Sequence, residues 1–169
     1  MPQFTCLHRK NRKQFRQLPA LYAAYRQQTI LNHGGKKHRL SVFRRELQRV
    51  LRKTDECVWS GNPRCFVVLH EGDTVLGFAD IRTVSTDIPD VQFAYGTVED
   101  FFVVEQERKK GYGRLLYERV ERVFRENNTK TVLLTPDPVS GVQFWEKMGY
   151  ESMHFCIPDT ESTFYKKEI

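Results

Sequence analysis

A chain of 169 residues, 40% hydrophobic and 28% charged, is one domain by size and long enough to enclose a core. No apolar run approaches the ~20 residues of a membrane span, and Met1-Pro2-Gln3-Phe4 lacks the basic-then-apolar layout of a secretory signal, so a cytoplasmic protein without a membrane role is expected. The net charge of +6 is uneven: residues 1–56 hold 14 Lys/Arg against 3 Asp/Glu, and the remainder holds 13 against 18.

Along the chain, Gln3 to Leu7 reads as a short strand. Leu18, Leu21, Tyr22 and Tyr25 share a helical face, with Pro19 marking a first turn or a break. His33-Gly34-Gly35 is a loop, and Leu40, Phe43, Leu47, Val50 and Leu51 predict a second amphipathic helix. Ser60-Gly61-Asn62-Pro63 is a turn. Cys65 to His70 and Val75 to Val84 are strands joined through Glu71-Gly72-Asp73. A polar loop, Ser85 to Asp90, leads into a strand from Val91 to Val104, bulged or broken near Gly96. A helix follows from Arg114, with Leu115, Leu116, Val120, Val123 and Phe124 on one face. Then come a strand at Thr131 to Thr135, a helix at Val139 to Lys147, and strands near Ser152 to Ile157 and Thr163 to Lys167. Strands, a β–α–β centre and more strands predict an α/β architecture, a central mixed sheet with helices on both faces.

Cys6, Cys57, Cys65 and Cys156 form no C-x-x-C pair, and with the histidines they make no metal-binding spacing. They read as reduced cysteines, Cys65 as a buried small hydrophobe. His33 and His38 lack a carboxylate or cysteine at ligand spacing, so solvated histidines and no metal are expected.

The most informative stretch is Val98-Glu99-Asp100-Phe101-Phe102-Val103-Val104, followed by Arg108-Lys109-Lys110-Gly111-Tyr112-Gly113-Arg114. A buried strand runs into a basic glycine-containing loop and then a helix. That order gathers backbone N–H groups and a positive helix end around one anion, a site for a pyrophosphate. It is not a Walker loop, since Gly113 is followed by Arg114 and Leu115, and it has two glycines where the dinucleotide fingerprint has three.

Arg108-Lys109-Lys110-Gly111-Tyr112-Gly113 resembles the acyl-CoA signature of the GNAT superfamily of acetyltransferases, Gln/Arg-x-x-Gly-x-Gly/Ala. Glu99-Asp100-Phe101-Phe102-Val103 looks like the same strand in spermidine/spermine-type N-acetyltransferases, and Phe144-Trp145-Glu146-Lys147-Met148-Gly149-Tyr150 resembles the family's later Phe-Tyr/Trp-x-x-x-Gly-Phe/Tyr block. The resemblance implies the GNAT fold and acetyl transfer from acetyl-CoA to a primary amine by direct attack. It implies a homodimer, as many relatives pair. It places the cofactor arm along backbone groups of Phe102, Val103 and Val104, and the pyrophosphate on amides from Arg108 through Arg114, including Lys109, Lys110, Gly111, Tyr112 and Gly113. It gives Glu99 the role of general base, acting through water because a carboxylate is weak against an ammonium of pKa ~10.4. Asp100, pointing to the opposite strand face, is a poor second.

Three departures stand out. Lys109 sits where close relatives often have glycine. Pro138 sits where many have a CoA-contacting asparagine. Trp145 replaces the tyrosine that serves the leaving sulfur in many relatives, so its indole packs along the CoA arm, or another group or none serves the sulfur. Tyr112, Tyr117 and Tyr150 are substitutes in principle, although packing is their simpler role. Asp80, Asp87, Asp90 and Asp137 are expected to rim the acceptor cleft. The basic first third reads either as a solvated surface or as an attraction for polyanions, CoA phosphates or nucleic acid. Two alternatives therefore stand beside a small-amine acetyltransferase: a non-catalytic acyl-CoA-binding regulatory module, and acetylation of a protein amine docked on the basic third.

Overall fold

The computed structural model describes residues 1–8, 10–60, 64–85, 94–156 and 163–169. Seven strands form one sheet in the order β1-β2-β3-β4-β5-β7-β6: β1 Gln3–Cys6, β2 Arg64–Glu71, β3 Thr74–Ser85, β4 Tyr95–Val103, β5 Thr131–Leu134, β6 Glu151–Cys156 and β7 Thr163–Glu168. All neighbours are antiparallel except β4 and β5, which run parallel. Four helices complete the described chain: α1 Leu18–Asn32, α2 Leu40–Ser60, α3 Tyr112–Glu126 and α4 Val142–Lys147.

β2 is buried almost throughout because helices cover both of its faces. Phe66 and Val68, with Phe78 of β3, pack on Leu18, Tyr22, Phe43, Leu47 and Leu51 of α1 and α2. Val67, Leu69, Ala79 and Ile81 turn the other way, onto Leu116, Val120 and Phe124 of α3 and Trp145 of α4. Each fully buried aliphatic or aromatic side chain contributes about 1.5–3 kcal/mol.

Element limits differ from the sequence expectation for local reasons. Pro19 lies in the first turn of α1, where its missing N–H costs nothing, so the helix does not break. α4 starts at Val142 rather than Val139, because the Asp137 carboxylate captures the amides of Val139 and Ser140 in a turn. The register of β3 on β4 does shift opposite Gly96, where Thr83 and Val84 stand between the pairs Arg82–Thr97 and Ser85–Tyr95. The expected turn at Gly61-Asn62-Pro63, the loop through Asp90 and the start of a strand at Val91 lie outside the described residues.

Candidate functional site

β4 and β5 are joined at only two positions, Gly96 with Val132 and Thr97 with Leu133. Beyond Thr97 the strands part, and β4 continues to Val103 with a free edge. The antiparallel register decides which groups that edge offers. Val104 N–H donates to the Leu76 carbonyl, and Phe102 and Asp100 stand opposite Phe78 and Asp80 in the same alternating ladder. Their backbone groups therefore face β3, and those of Phe101 and Val103 face the gap. Of the strand positions expected from sequence, Val103 faces the gap together with Phe101, whereas the backbone groups of Phe102 and Val104 face β3. The Phe102 side chain instead packs on Tyr25 and Phe78.

One backbone group of each open-edge residue is already covered by a side chain. Tyr25 of α1 accepts a hydrogen bond from Phe101 N–H at 3.4 Å, and Arg108 Nε donates to the Val103 carbonyl at 3.1 Å. Burial, reinforced by nearby Asp100, pushes the Tyr25 phenol up, so it stays protonated. Asp100 is itself buried against Tyr22 and Arg26, and burial raises its pKa. As a group sealed under α1 it is not placed to take up a proton from solvent.

A second irregularity in β4 falls on Glu99. Asp80 faces Asp100 and Ile81 faces Val98, so Glu99 is the extra residue of a β-bulge, a device that re-aims a side chain. Its carboxylate reaches the surface, accepting from Arg82 Nε at 2.9 Å and from Thr97 Oγ1 at 2.5 Å. An exposed ion-paired acid is thus what the bulge presents.

The basic loop follows a 3-10 turn at 105–107. Gly111 adopts φ 88° as it enters α3, a left-handed conformation open to glycine at little cost. Lys109 takes φ 64°, so the position that often carries glycine demands the same hand here and is strained by its side chain. Gly113 serves contact: a Cβ there would lie 3.1 Å from the Phe144 ring. Arg108, Lys109, Lys110 and Arg114 are all exposed, with Lys110 paired to Glu107 at 2.9 Å. The first-turn amides of α3, from half-buried Tyr112 through Arg114, have no partner within the helix. A basic loop, a helix N-terminus and an adjacent free strand edge suit a pyrophosphate with an extended amide-bearing arm.

Trp145 is only 5% exposed and lies in the core. Its ring stands edge-on to Phe101, Tyr117, Phe144 and Tyr150, supporting the back of β4 rather than lining an open surface. Tyr117 and Tyr150 are buried and hydrogen-bonded to each other at 3.4 Å, and burial raises both phenols.

The candidate acids of the acceptor cleft are committed elsewhere. Asp80, fully buried, is clasped by the Arg64 guanidinium. Burial outweighs that partner and pushes its pKa up to about 6. Asp137 accepts from Val139, Ser140 and, at 2.8 Å, Asn32 at the end of α1. Partial burial pushes its pKa up, but the hydrogen bonds outweigh it and hold the carboxyl below its ordinary value. Asp87 and Asp90 lie outside the described residues. His33 and His38 are exposed, and among the described residues no cluster of metal-ligating side chains occurs. No described helix is long and apolar enough to cross a membrane.

Comparison with solved structures returns this fold along the whole chain. The PaiA N-acetyltransferase of Thermoplasma acidophilum, solved in complex with coenzyme A, matches with a TM-score of 0.74 at 12% identity, covering 100% of this chain and 99% of that one. An acetyltransferase from Thermus thermophilus gives 0.69 at 15%, covering 100% and 97%, and an aminoglycoside 6'-acetyltransferase type Ii gives 0.68 at 17%, covering 98% and 96%. At such identities the likeness shows the fold alone. A search of curated proteins finds no match. The model of the acetyltransferase (GNAT) family matches residues 20–150, most of the chain, and the protein belongs to that family of acetyltransferases.

Proposed function

We propose that residues 1–169 form one acetyltransferase domain that passes the acetyl group of acetyl-CoA to a primary amine of a small molecule or peptide, by direct attack in a ternary complex. The carrying observation is the free edge of β4 beside the cationic entry to α3. The likeness of Glu99-Asp100-Phe101-Phe102-Val103 to spermidine/spermine-type enzymes puts polyamines first among acceptors. On this reading the protein works in the cytoplasm as a homodimer, without a metal.

Acetyl-CoA supplies an acyl group already activated as a thioester. Phe101 N–H and the Val103 backbone would hold its arm, displacing Tyr25 and Arg108 from the same groups. Amides from Lys109 to Arg114, with the side chains of Arg108, Lys109, Lys110 and Arg114, would hold the pyrophosphate. Charge-assisted hydrogen bonds of this kind contribute roughly 1.5–3 kcal/mol each. Phe101 N–H would polarise the acyl oxygen. Glu99, fixed by Arg82 and Thr97, would draw the proton from the amine through water. Trp145 would act only by holding Phe101 in place. With Tyr117 and Tyr150 sealed, the thiolate would take its proton from solvent, which a thiol near pKa ~8.5 allows.

The test follows CoA release from acetyl-CoA with polyamines, aminoglycosides, amino acids and peptides. Turnover with one class names the acceptor, and Glu99→Gln should lower kcat by about 100-fold or more, less so at high pH. Acetyl-CoA binding without turnover on any of these would overturn the small-amine reading.

A second reading has its own observation. Arg12, Lys13 and Arg16 line a depression of about 450 Å³ that shares Gln48 with a neighbouring one lined by Arg45, Arg49 and Arg52. Two adjoining cationic depressions of this kind would dock an acidic partner and present a protein amine. Neutralising Arg45, Arg49 and Arg52 would then abolish a salt-sensitive interaction while leaving turnover on small amines intact.

A further inference from the structure

Away from the cleft, two thiols meet. Cys6 ends β1 and Cys65 is the second residue of β2. The register pairs Cys6 with Val67, so Cys65 stands two positions along on the same sheet face. Their sulfurs are 3.0 Å apart, and both side chains are half-buried, within reach of a small solute.

The surroundings differentiate the two. The contact with Cys65, with Arg119 and His8 nearby, outweighs burial and the opposing Glu126, holding Cys6 down at about 6. The same contact, together with burial, pushes Cys65 up. Near neutral pH the pair is one thiolate and one thiol, an attacking and a resolving sulfur.

We propose that Cys6 and Cys65 form a redox-modification site at which a small hydroperoxide, hydrogen peroxide being the simplest, closes a disulfide between β1 and β2. The Cys6 thiolate attacks a peroxide oxygen: an S–O bond forms, the O–O bond breaks, and hydroxide leaves to become water. The sulfur is oxidised to a sulfenic acid and the peroxide is reduced. The Cys65 sulfur then attacks that of Cys6. An S–S bond forms, the S–O bond breaks, and the departing hydroxyl takes the Cys65 proton as water. Two thiols and one hydrogen peroxide thus give one disulfide and two waters; with an alkyl hydroperoxide the leaving oxygen departs as an alcohol in place of the first water. The sulfurs need approach by only about 1 Å more to reach bonding distance. The bridge encloses residues 7–64, and with them the whole α1–α2 layer whose Tyr25 covers the edge of β4. This site stands independently of the acetyl-transfer reading.

The test titrates the reduced full-length protein with hydrogen peroxide, blocks the remaining thiols by alkylation and maps peptides by mass spectrometry. A peptide joining Cys6 to Cys65 is expected, lost on adding dithiothreitol. Cys65→Ser should leave a sulfenic acid at Cys6 that dimedone traps, and Cys6→Ser should slow oxidation at least tenfold. Unoxidised protein should alkylate at Cys6 with a midpoint near pH 6, while Cys65 stays slow. Cross-links through Cys57 or Cys156, or a sulfenic acid that persists at Cys6 in the unsubstituted protein, would overturn the proposal. So would Cys6 and Cys65 both remaining alkylatable after peroxide.

Discussion

The hydroxyl of Tyr25 takes the backbone N–H of Phe101, so a side chain from α1 sits on the stretch of β4 that an acyl arm would require. Any ligand accepting that N–H has to displace the phenol, at the cost of one weak hydrogen bond. Tyr25→Phe removes the competitor without disturbing the ring packing on Phe78 and Phe102. Acetyl-CoA should bind about 2- to 5-fold more tightly to the variant by titration calorimetry, the equivalent of about 0.5–1 kcal/mol. Unchanged or weaker binding would mean that the phenol leaves the edge without cost or assists the ligand.

Lys109 places strain and charge on one residue. At φ 64°, replacement by glycine relieves roughly 1–2 kcal/mol of backbone strain and returns about 0.5–1 kcal/mol as added freedom of the unfolded chain. Lys109→Gly should therefore raise the Tm by about 1–4 °C in a thermal melt. It should also weaken CoA binding severalfold through the lost charge. Lys109→Val, β-branched in the same conformation, should lower the Tm.

Asp80 governs an acid-range dependence of stability. Its native pKa of about 6 lies above the ordinary aspartate value of 3.8, so the folded state binds its proton more tightly than the unfolded state does. The resulting stabilisation is complete below about pH 4 and fades as pH rises through 6. Asp80→Asn lacks this dependence, so urea denaturation at pH 4, 5, 6 and 7 should show the difference moving in the variant's favour as pH rises. Arg64→Met, which strands the buried carboxylate, should cost about 3–5 kcal/mol at pH 7.

Asp137 behaves with the opposite sign. Its carboxylate is stabilised in the fold, and that contribution is present above its ordinary pKa and lost as pH falls through the lowered native value. Asp137→Ala should cost about 1–2 kcal/mol near neutral pH, with the gap to the parent protein closing in strong acid. Because Asn32 binds the same carboxylate, hydrogen exchange should quicken at the C-terminal end of α1 as well as at the start of α4.

What sequence made legible was continuous along the chain. The run from Val98 to Arg114 announced itself through a change of period, two glycines and a cluster of cations, all within one strand–loop–helix unit. What escaped depends on partners far apart. Tyr25 and Phe101 are separated by 76 positions, and Cys6 and Cys65 by 59, so neither encounter leaves a spacing to read. The bulge at Glu99 is a property of hydrogen-bond register, and a shift of one residue exchanges the edge groups of Phe102 for those of Phe101. Trp145 carried a motif position and proved to be core, because an aromatic at helical spacing reads alike in either role. The left-handed turn at 109 shows in the sequence only through the resemblance, as a lysine standing where close relatives often have glycine.

The two-position seam between β4 and β5 makes the sheet two unequal panels, β1–β4 on one side and β5, β7 and β6 on the other, meeting at Gly96–Thr97 and Val132–Leu133. A molecule lodged where the panels part would be framework as much as cargo, bracing across the sheet what the chain leaves apart. Mechanical stiffness and resistance to heat would then follow the level of the acyl donor, and the protein would be most robust when charged for work.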